Sequence, residues 1–212
     1  MKNTDKSVLR THHIVTKNNY SLSELQAIDD FFDEDRFLIF AKGIFIILQN
    51  SWSNFNYDAL KSIETEELYN EHKGVLEDFK KEGQINVIKD VSVHSASILN
   101  FERTSKKEFL DVLINSSMFE YILDEEKQKV IKGDKDFKIN VTYQMRFERK
   151  KGVKTKKDAH KRKQNINLEN KICPNCGAPL KPELYGWCEY CMGINKEDET
   201  WLLNSIEIFE NN

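Results

Sequence analysis

The chain has 212 residues, 39% of them hydrophobic and 11% aromatic, which is enough apolar material for one main domain and a small appendage. With 32% charged residues and a net charge of only −3, the composition is that of a protein that folds in water. The most apolar stretch, residues 37–48, is interrupted by Lys42 and Gly43 and is shorter than the roughly twenty apolar residues that cross a bilayer. Length and composition therefore exclude a transmembrane helix from the predicted elements.

The first third of the chain predicts helices. Residues 1–20 are polar and aperiodic, so we expect a loose N-terminal arm without a signal peptide. A capping box at Ser21 begins a short helix. After Asp33 the apolar residues recur at intervals of three and four over so wide a face that this second helix should form the spine of the core. Two further helices are predicted over residues 56–63 and 65–81.

The apolar pattern then changes from the helical repeat to strict alternation, which predicts a sheet. Three strands are expected, over residues 84–102, 108–123 and 137–148. The buried face of the first should carry its odd-numbered apolar residues, Val91, Val93, Leu99 and Phe101. Strands this long should bend, and the small residues at 95–97 and 116–117 are the predicted places. Helices followed by a bent antiparallel sheet indicate an α+β fold.

Four cysteines near the C-terminus predict a metal site. Two residues separate the cysteines of each pair, and eleven residues separate the pairs, Cys173 with Cys176 and Cys188 with Cys191. This spacing lets four thiolates surround one Zn²⁺ at about 2.3 Å in a closed structural site. A redox dithiol needs only one such pair, and disulfides need an oxidising compartment. We therefore expect a zinc ribbon with one structural zinc ion in a reduced, cytoplasmic protein.

A dense cluster of cations precedes the ribbon. From Arg146 to Lys163 the sequence has ten basic residues and two acidic ones. Such a segment can neutralise several phosphates, and the candidate anion-binding residues are Arg149, Lys150, Lys151, Lys154, Lys156 and Lys157. The alternative is a solvated linker whose charge is balanced by the acidic C-terminal tail.

These features divide the chain into four predicted parts. They are a loose arm at residues 1–20, an α+β domain at 21–152, a basic linker at 153–170 and a zinc ribbon at 171–212. The last part ends in an apolar segment, Thr200–Phe209, which should pack either on the ribbon or on the main domain.

The order of several short segments resembles the bacterial members of the Tim44-like domain family, related to a subunit of the mitochondrial import translocase. The segments are FIILQNSW at 45–52, EELY at 66–69, GQINVI at 83–88, RKKGVKT at 149–155, CPNCGAP at 173–179 and CEYC at 188–191. The resemblance implies a cone-shaped domain similar to nuclear transport factor two, in which a bent sheet wraps a long helix. It also implies a scaffold that binds partner proteins, an anionic membrane surface or ribosomes.

Three functions remain open from the sequence. The first is a non-catalytic zinc-binding scaffold or adaptor for a partner protein, in protein transport or at the inner face of a membrane. It agrees with the absence of any nucleophile, phosphate-loop or metalloprotease motif, so we expect no enzyme. The second is a ligand-binding or enzymatic pocket in the cone, with His72, His94, Tyr121 and Tyr143 as candidate residues. The third is binding of RNA, ribosomes or anionic lipid through residues 146–163.

Overall fold

The computed structural model of the chain describes residues 22–155 and 201–209. Four helices come first in the described part: α1 (Leu22–Ile28), α2 (Glu34–Asn54), α3 (Tyr57–Ile63) and α4 (Glu66–Lys81). Five strands follow: β1 (Gln84–Arg103), β2 (Lys107–Asp124), β3 (Lys129–Gly133), β4 (Ile139–Lys150) and β5 (Leu202–Ile208). The predicted α+β order, helices and then an antiparallel sheet, is confirmed.

Local sequence sets the helix boundaries. The side chain of Asp33 accepts a hydrogen bond from the backbone N–H of Arg36 at 2.9 Å, which caps the N-terminus of α2. Asn56 caps α3 and Thr65 caps α4 in the same way. The α2 helix ends where Phe55 takes a left-handed conformation with φ of 50°.

The long helix α2 is the spine of the core, as its wide apolar face predicts. It packs against the inner face of the sheet, the face that is turned toward the helices. The ring of Phe37 meets Phe147 of β4 edge-on with centroids 5.4 Å apart, and Phe45 lies 5.1 Å from Tyr143. All four aromatic side chains are buried, so the contact between α2 and β4 fixes the helix on the sheet.

The sheet has the strand order β1-β2-β4-β5, and β3 pairs with the far end of β2. The register between β2 and β4 runs unbroken from Lys107 opposite Lys150 to Met118 opposite Ile139. Because side chains alternate along a strand, the even-numbered residues of β2 face the helices. Leu110, Val112 and Ile114 are accordingly fully buried.

The edge strand β1 bends at three bulges that the sequence does not reveal. One extra residue of β1 is inserted opposite β2 between Lys89 and Ser92, one at His94 and one at Leu99. The bend expected at 95–97 adjoins the second of these bulges, which ends at Ser95. The bend expected at 116–117 is wrong, since these residues keep regular pairing with both neighbouring strands. Each bulge changes which alternate residue faces the core.

One side chain is therefore exposed where burial is expected. Leu99 is itself a bulge residue and is 37% exposed, while Ile98 packs against the core in its place. Alternation alone cannot detect this change, since one inserted residue reverses the pattern after it. The strand predicted over residues 137–148 begins only at Ile139, and Phe137 before it is 71% exposed.

The apolar C-terminal segment returns to the main domain. Strand β5 pairs with β4 from Tyr143 opposite Ile208 to Glu148 opposite Leu202. The backbone N–H of Thr65 also donates to the carbonyl of Leu203 at 2.8 Å. Residues 202–208 thus belong to the sheet, and the predicted boundary that grouped them with the ribbon is wrong for this segment.

Candidate functional site

The four residues predicted for a pocket lie in separate places. Tyr143 is on the inner face of the sheet, 1% exposed, and packs against Phe45. Tyr121 lies on the opposite, outer face, where the ammonium of Lys89 is 5.8 Å from its ring centroid. His94 is exposed at its bulge and exchanges a hydrogen bond of 2.9 Å with the hydroxyl of Ser117.

His72 lies between the helices rather than in the sheet. Its Nδ1 is 2.6 Å from Oε1 of Glu64, and its ring meets Trp52 edge-on at 5.0 Å. Burial raises the pKa of Glu64, and the hydrogen bond and charge of His72 oppose that rise only in part. This pair joins the end of α3 to α4, so His72 has a packing role between the helices. The four candidates therefore do not converge on one pocket.

Arg149 is buried among carboxylates and is not on the surface. Its Nε donates to Glu108 at 2.8 Å and its Nη1 donates to Asp29 at 2.6 Å, with all three side chains at most 1% exposed. The guanidinium also lies 4.4 Å from the ring centroid of Trp201. Because the guanidinium is buried and its charge is already matched by two carboxylates, the expected role of Arg149 in binding an external anion is not supported by its position.

Asp29 is the centre of this buried cluster. Besides Arg149, it accepts hydrogen bonds from the backbone N–H of Thr155 at 3.1 Å and from the Thr155 hydroxyl at 2.9 Å. Burial alone would raise the pKa of Asp29, but the donors on Arg149 and Thr155 outweigh it and hold this pKa below its usual value. The cluster ties α1 to the residues that follow β4, so the start of the predicted linker is part of the domain.

The lowered pKa of Asp29 predicts a pH dependence of stability. A carboxyl whose pKa is depressed by folding stabilises the native state above its unfolded pKa, and this contribution is lost as the pH falls through the folded value. We expect the wild type to be more stable than Asp29→Asn at neutral pH, and the gap to narrow below about pH 4. Urea unfolding of both proteins across this range checks it. A gap that does not change with pH would contradict the ionised state of Asp29.

The pairing of the strands brings together lysines from two parts of the sequence. The hairpin between β1 and β2 brings Lys106 and Lys107 next to the end of β4, where Lys107 pairs with Lys150 and the N–H of Lys151 donates to the carbonyl of Lys106 at 2.9 Å. Lys154 follows this turn in the sequence and is exposed. We call Lys106, Lys107, Lys150, Lys151 and Lys154 the basic end. The first two were missed because their only signal is a short polar run, RTSKK, between two strands.

The remaining predicted residues lie outside the described part of the chain. These are the four zinc candidates, Cys173, Cys176, Cys188 and Cys191, and the two lysines Lys156 and Lys157. Within residues 22–155 and 201–209, no three His, Cys, Asp or Glu side chains form a metal-binding group. In the same ranges no helix has the length and apolar character needed to cross a bilayer.

Comparisons with known proteins identify the family. No curated protein matches the chain. The crystal structure of the intermembrane space region of the chloroplast protein ARC6 aligns over 85% of this chain and 98% of its own, with 10% identity and a TM-score of 0.43. Residues 19–161, which include all four helices and strands β1–β4, match the Tim44-like domain. Since that match spans most of its length, the chain belongs to the Tim44-like domain family.

Proposed function

We propose that this protein is a non-catalytic adaptor that binds a partner protein in protein transport. The observation that carries the proposal is the Tim44-like domain at residues 19–161, because proteins with this domain are generally non-enzymatic and associated with translocases. The positions of the polar side chains agree with it. His72 and Arg149 each form ion pairs with buried carboxylates, and these pairs join secondary-structure elements. We interpret both side chains as structural, because a catalytic side chain must be accessible to its substrate.

The segment with the four cysteines supplies the second surface of the proposed adaptor. The described part of the main domain runs to Thr155 and resumes at Trp201, and both residues line one cleft of about 20 Å³ with Phe32 and Phe37. The two residues that flank residues 156–200 therefore lie close together in the main domain. We propose that Cys173, Cys176, Cys188 and Cys191 bind one structural Zn²⁺ in this insertion.

The test uses the full-length chain and its Cys176→Ser variant. We expect one zinc ion per wild-type chain by elemental analysis and none in the variant, because a closed site needs all four thiolates. The main domain should persist in both, since its core as described in residues 22–155 and 201–209 is closed without a cysteine, and circular dichroism should show the same strand and helix signal. Affinity capture with chemical cross-linking from the native cell should recover protein partners with the wild type.

Partners recovered with the wild type and lost from the variant would assign their binding to the insertion. Partners shared by both would assign it to the main domain. The proposal would be overturned if cross-linking recovered no protein partner while the purified chain converted a small molecule. Wild-type protein that is free of metal and melts unchanged in a chelator would overturn the zinc assignment alone.

A further inference from the structure

Four lysines of the basic end have no acidic partner in the part of the chain that the structure describes. Lys106, Lys150, Lys151 and Lys154 are exposed, and none forms an ion pair there. Only Lys107 is paired, through a contact of 2.8 Å with Glu148, which raises its pKa. The buried cluster at Arg149 holds the adjacent elements together, so the fold does not depend on these four ammonium groups.

The arrangement is unfavourable for the isolated domain. Lys107 and Lys150 are directly opposite each other on neighbouring antiparallel strands, where like charges repel. Lys106 and Lys151 are joined through their backbones, which brings two more cations to the same end of the sheet. Apart from the pair between Lys107 and Glu148, the ammonium groups of the basic end form no ion pair in the described part of the chain. Uncompensated cations of this kind are expected where an anion binds and offsets the repulsion.

Carboxylates border this surface on two sides and limit the size of the anion. Next to Lys154, Thr155 shares a small cleft with Asp33 at the start of α2, and the first turn of α2 adds Glu34 and Asp35. On the side of α4, Glu67 lies close enough to Lys107 to raise its pKa. A membrane plane or a nucleic-acid duplex laid over the lysines would also meet these carboxylates, and repulsion of that kind selects against such partners.

The basic end also has few of the exposed apolar and aromatic side chains that bind lipid bilayers and nucleic-acid bases. Within the described ranges, the exposed large hydrophobic side chains are Leu99, Ile131, Phe137, Ile139 and Leu202. None of them lies in the turns at 104–106 and 151–154 that carry the lysines. Leu202, opposite Glu148, is the one of these five that lies near the lysines, and a single partly exposed leucine is a weak anchor for a bilayer. The one aromatic ring among them, Phe137, precedes the opposite end of β4, so none of these five supplies a ring here on which a base could stack.

We infer that the basic end is a docking site for a short acidic segment of a protein partner. The inference rests on the proposed adaptor function and names the chemistry of one contact that this adaptor makes. An extended Glu- and Asp-rich segment carries discrete charges that pair with individual lysines, and it presents a narrower surface than a bilayer or a duplex.

Two variants of the full chain with equal changes in net charge test the inference. In the basic-end variant, glutamine replaces the four unpaired lysines, Lys106, Lys150, Lys151 and Lys154. In the control variant, glutamine replaces four exposed lysines elsewhere, Lys61, Lys80, Lys129 and Lys135. The probes are a short peptide of alternating glutamate and serine, a duplex RNA, and vesicles of phosphatidylglycerol and phosphatidylcholine. Fluorescence anisotropy and vesicle sedimentation measure binding at two salt concentrations.

We expect the peptide to bind wild type and control alike and the basic-end variant about 30-fold more weakly, with wild-type affinity falling as salt rises. RNA or vesicles that bind more tightly than the peptide, with the difference lost in the basic-end variant, would overturn the inference in favour of a phosphate partner. Equal binding of the peptide to both variants, or to neither variant nor wild type, would also overturn it. Protein partners that still cross-link in those cases would leave the adaptor function standing, so the two failures are distinguishable.

Discussion

Replacing Arg149 with alanine is expected to lower the free energy of unfolding by about 3–5 kcal/mol, the largest effect of any single polar substitution in the main domain. The guanidinium lies between Asp29 and Glu108. Its removal leaves the buried Asp29 carboxylate without a cation and leaves Glu108 with only the partly exposed Arg103. It also removes the contact with the Trp201 ring, which fixes the start of β5. Urea unfolding followed by circular dichroism measures the change.

Arg103 provides the matched control for this substitution. It pairs with the same carboxylate, Glu108, at 3.1 Å, but its side chain is 38% exposed. Water can replace an exposed cation, so Arg103→Ala should cost less than about 1 kcal/mol. Equal losses from Arg103→Ala and Arg149→Ala would show that the buried cluster does not stabilise the domain as its geometry indicates. Adding Asp29→Asn to Arg149→Ala should recover part of the loss, because one unpaired charge is removed.

Replacing Leu203 with alanine is expected to destabilise the main domain by about 3 kcal/mol, because it removes a fully buried side chain from the core. Leu203 lies opposite Phe147 in the sheet, and its carbonyl accepts the hydrogen bond from Thr65. This result would establish that the C-terminal segment folds with the main domain, 48 residues after Thr155. The measurement is again urea unfolding of the full chain.

The neighbouring residue offers an internal control. Leu202 is 40% exposed because it faces the outer side of the same strand. Leu202→Ala should therefore change stability by less than about 0.5 kcal/mol. If both leucine substitutions were equally mild, the segment would not be part of the core, and the alternative of packing on the ribbon would regain support.

The helices could be predicted from sequence because their determinants are local. Asp33, Asn56 and Thr65 each cap a helix through a hydrogen bond to a backbone N–H three residues later. The apolar stripe of α2 repeats within a single element, so its burial follows from its period. The short strand β3 was missed, since five residues with little burial carry almost no pattern.

The buried face of a strand is predicted less reliably than that of a helix when only one strand is considered. Alternation predicts the buried row of β2 well, because that strand pairs with β4 without a shift in register. In β1 the same reading wrongly buries Leu99, since three bulges each move the following residues to the other face. Bulges depend on the pairing partner, and one strand read alone does not contain that information.

The sequence by itself determined the order of helices and strands, the wide apolar face of α2 and the spacing of four cysteines, since each is a pattern among neighbouring residues. Only the tertiary structure decided that Arg149 is a buried ion-pair partner, that Lys106 and Lys150 meet at one end of the sheet, and that the segment at Leu203 completes the core. These facts depend on contacts between residues that are at least 41 positions apart in the sequence. Such contacts are fixed by strand order and register, which arise from the packing of the whole domain and not from any local repeat.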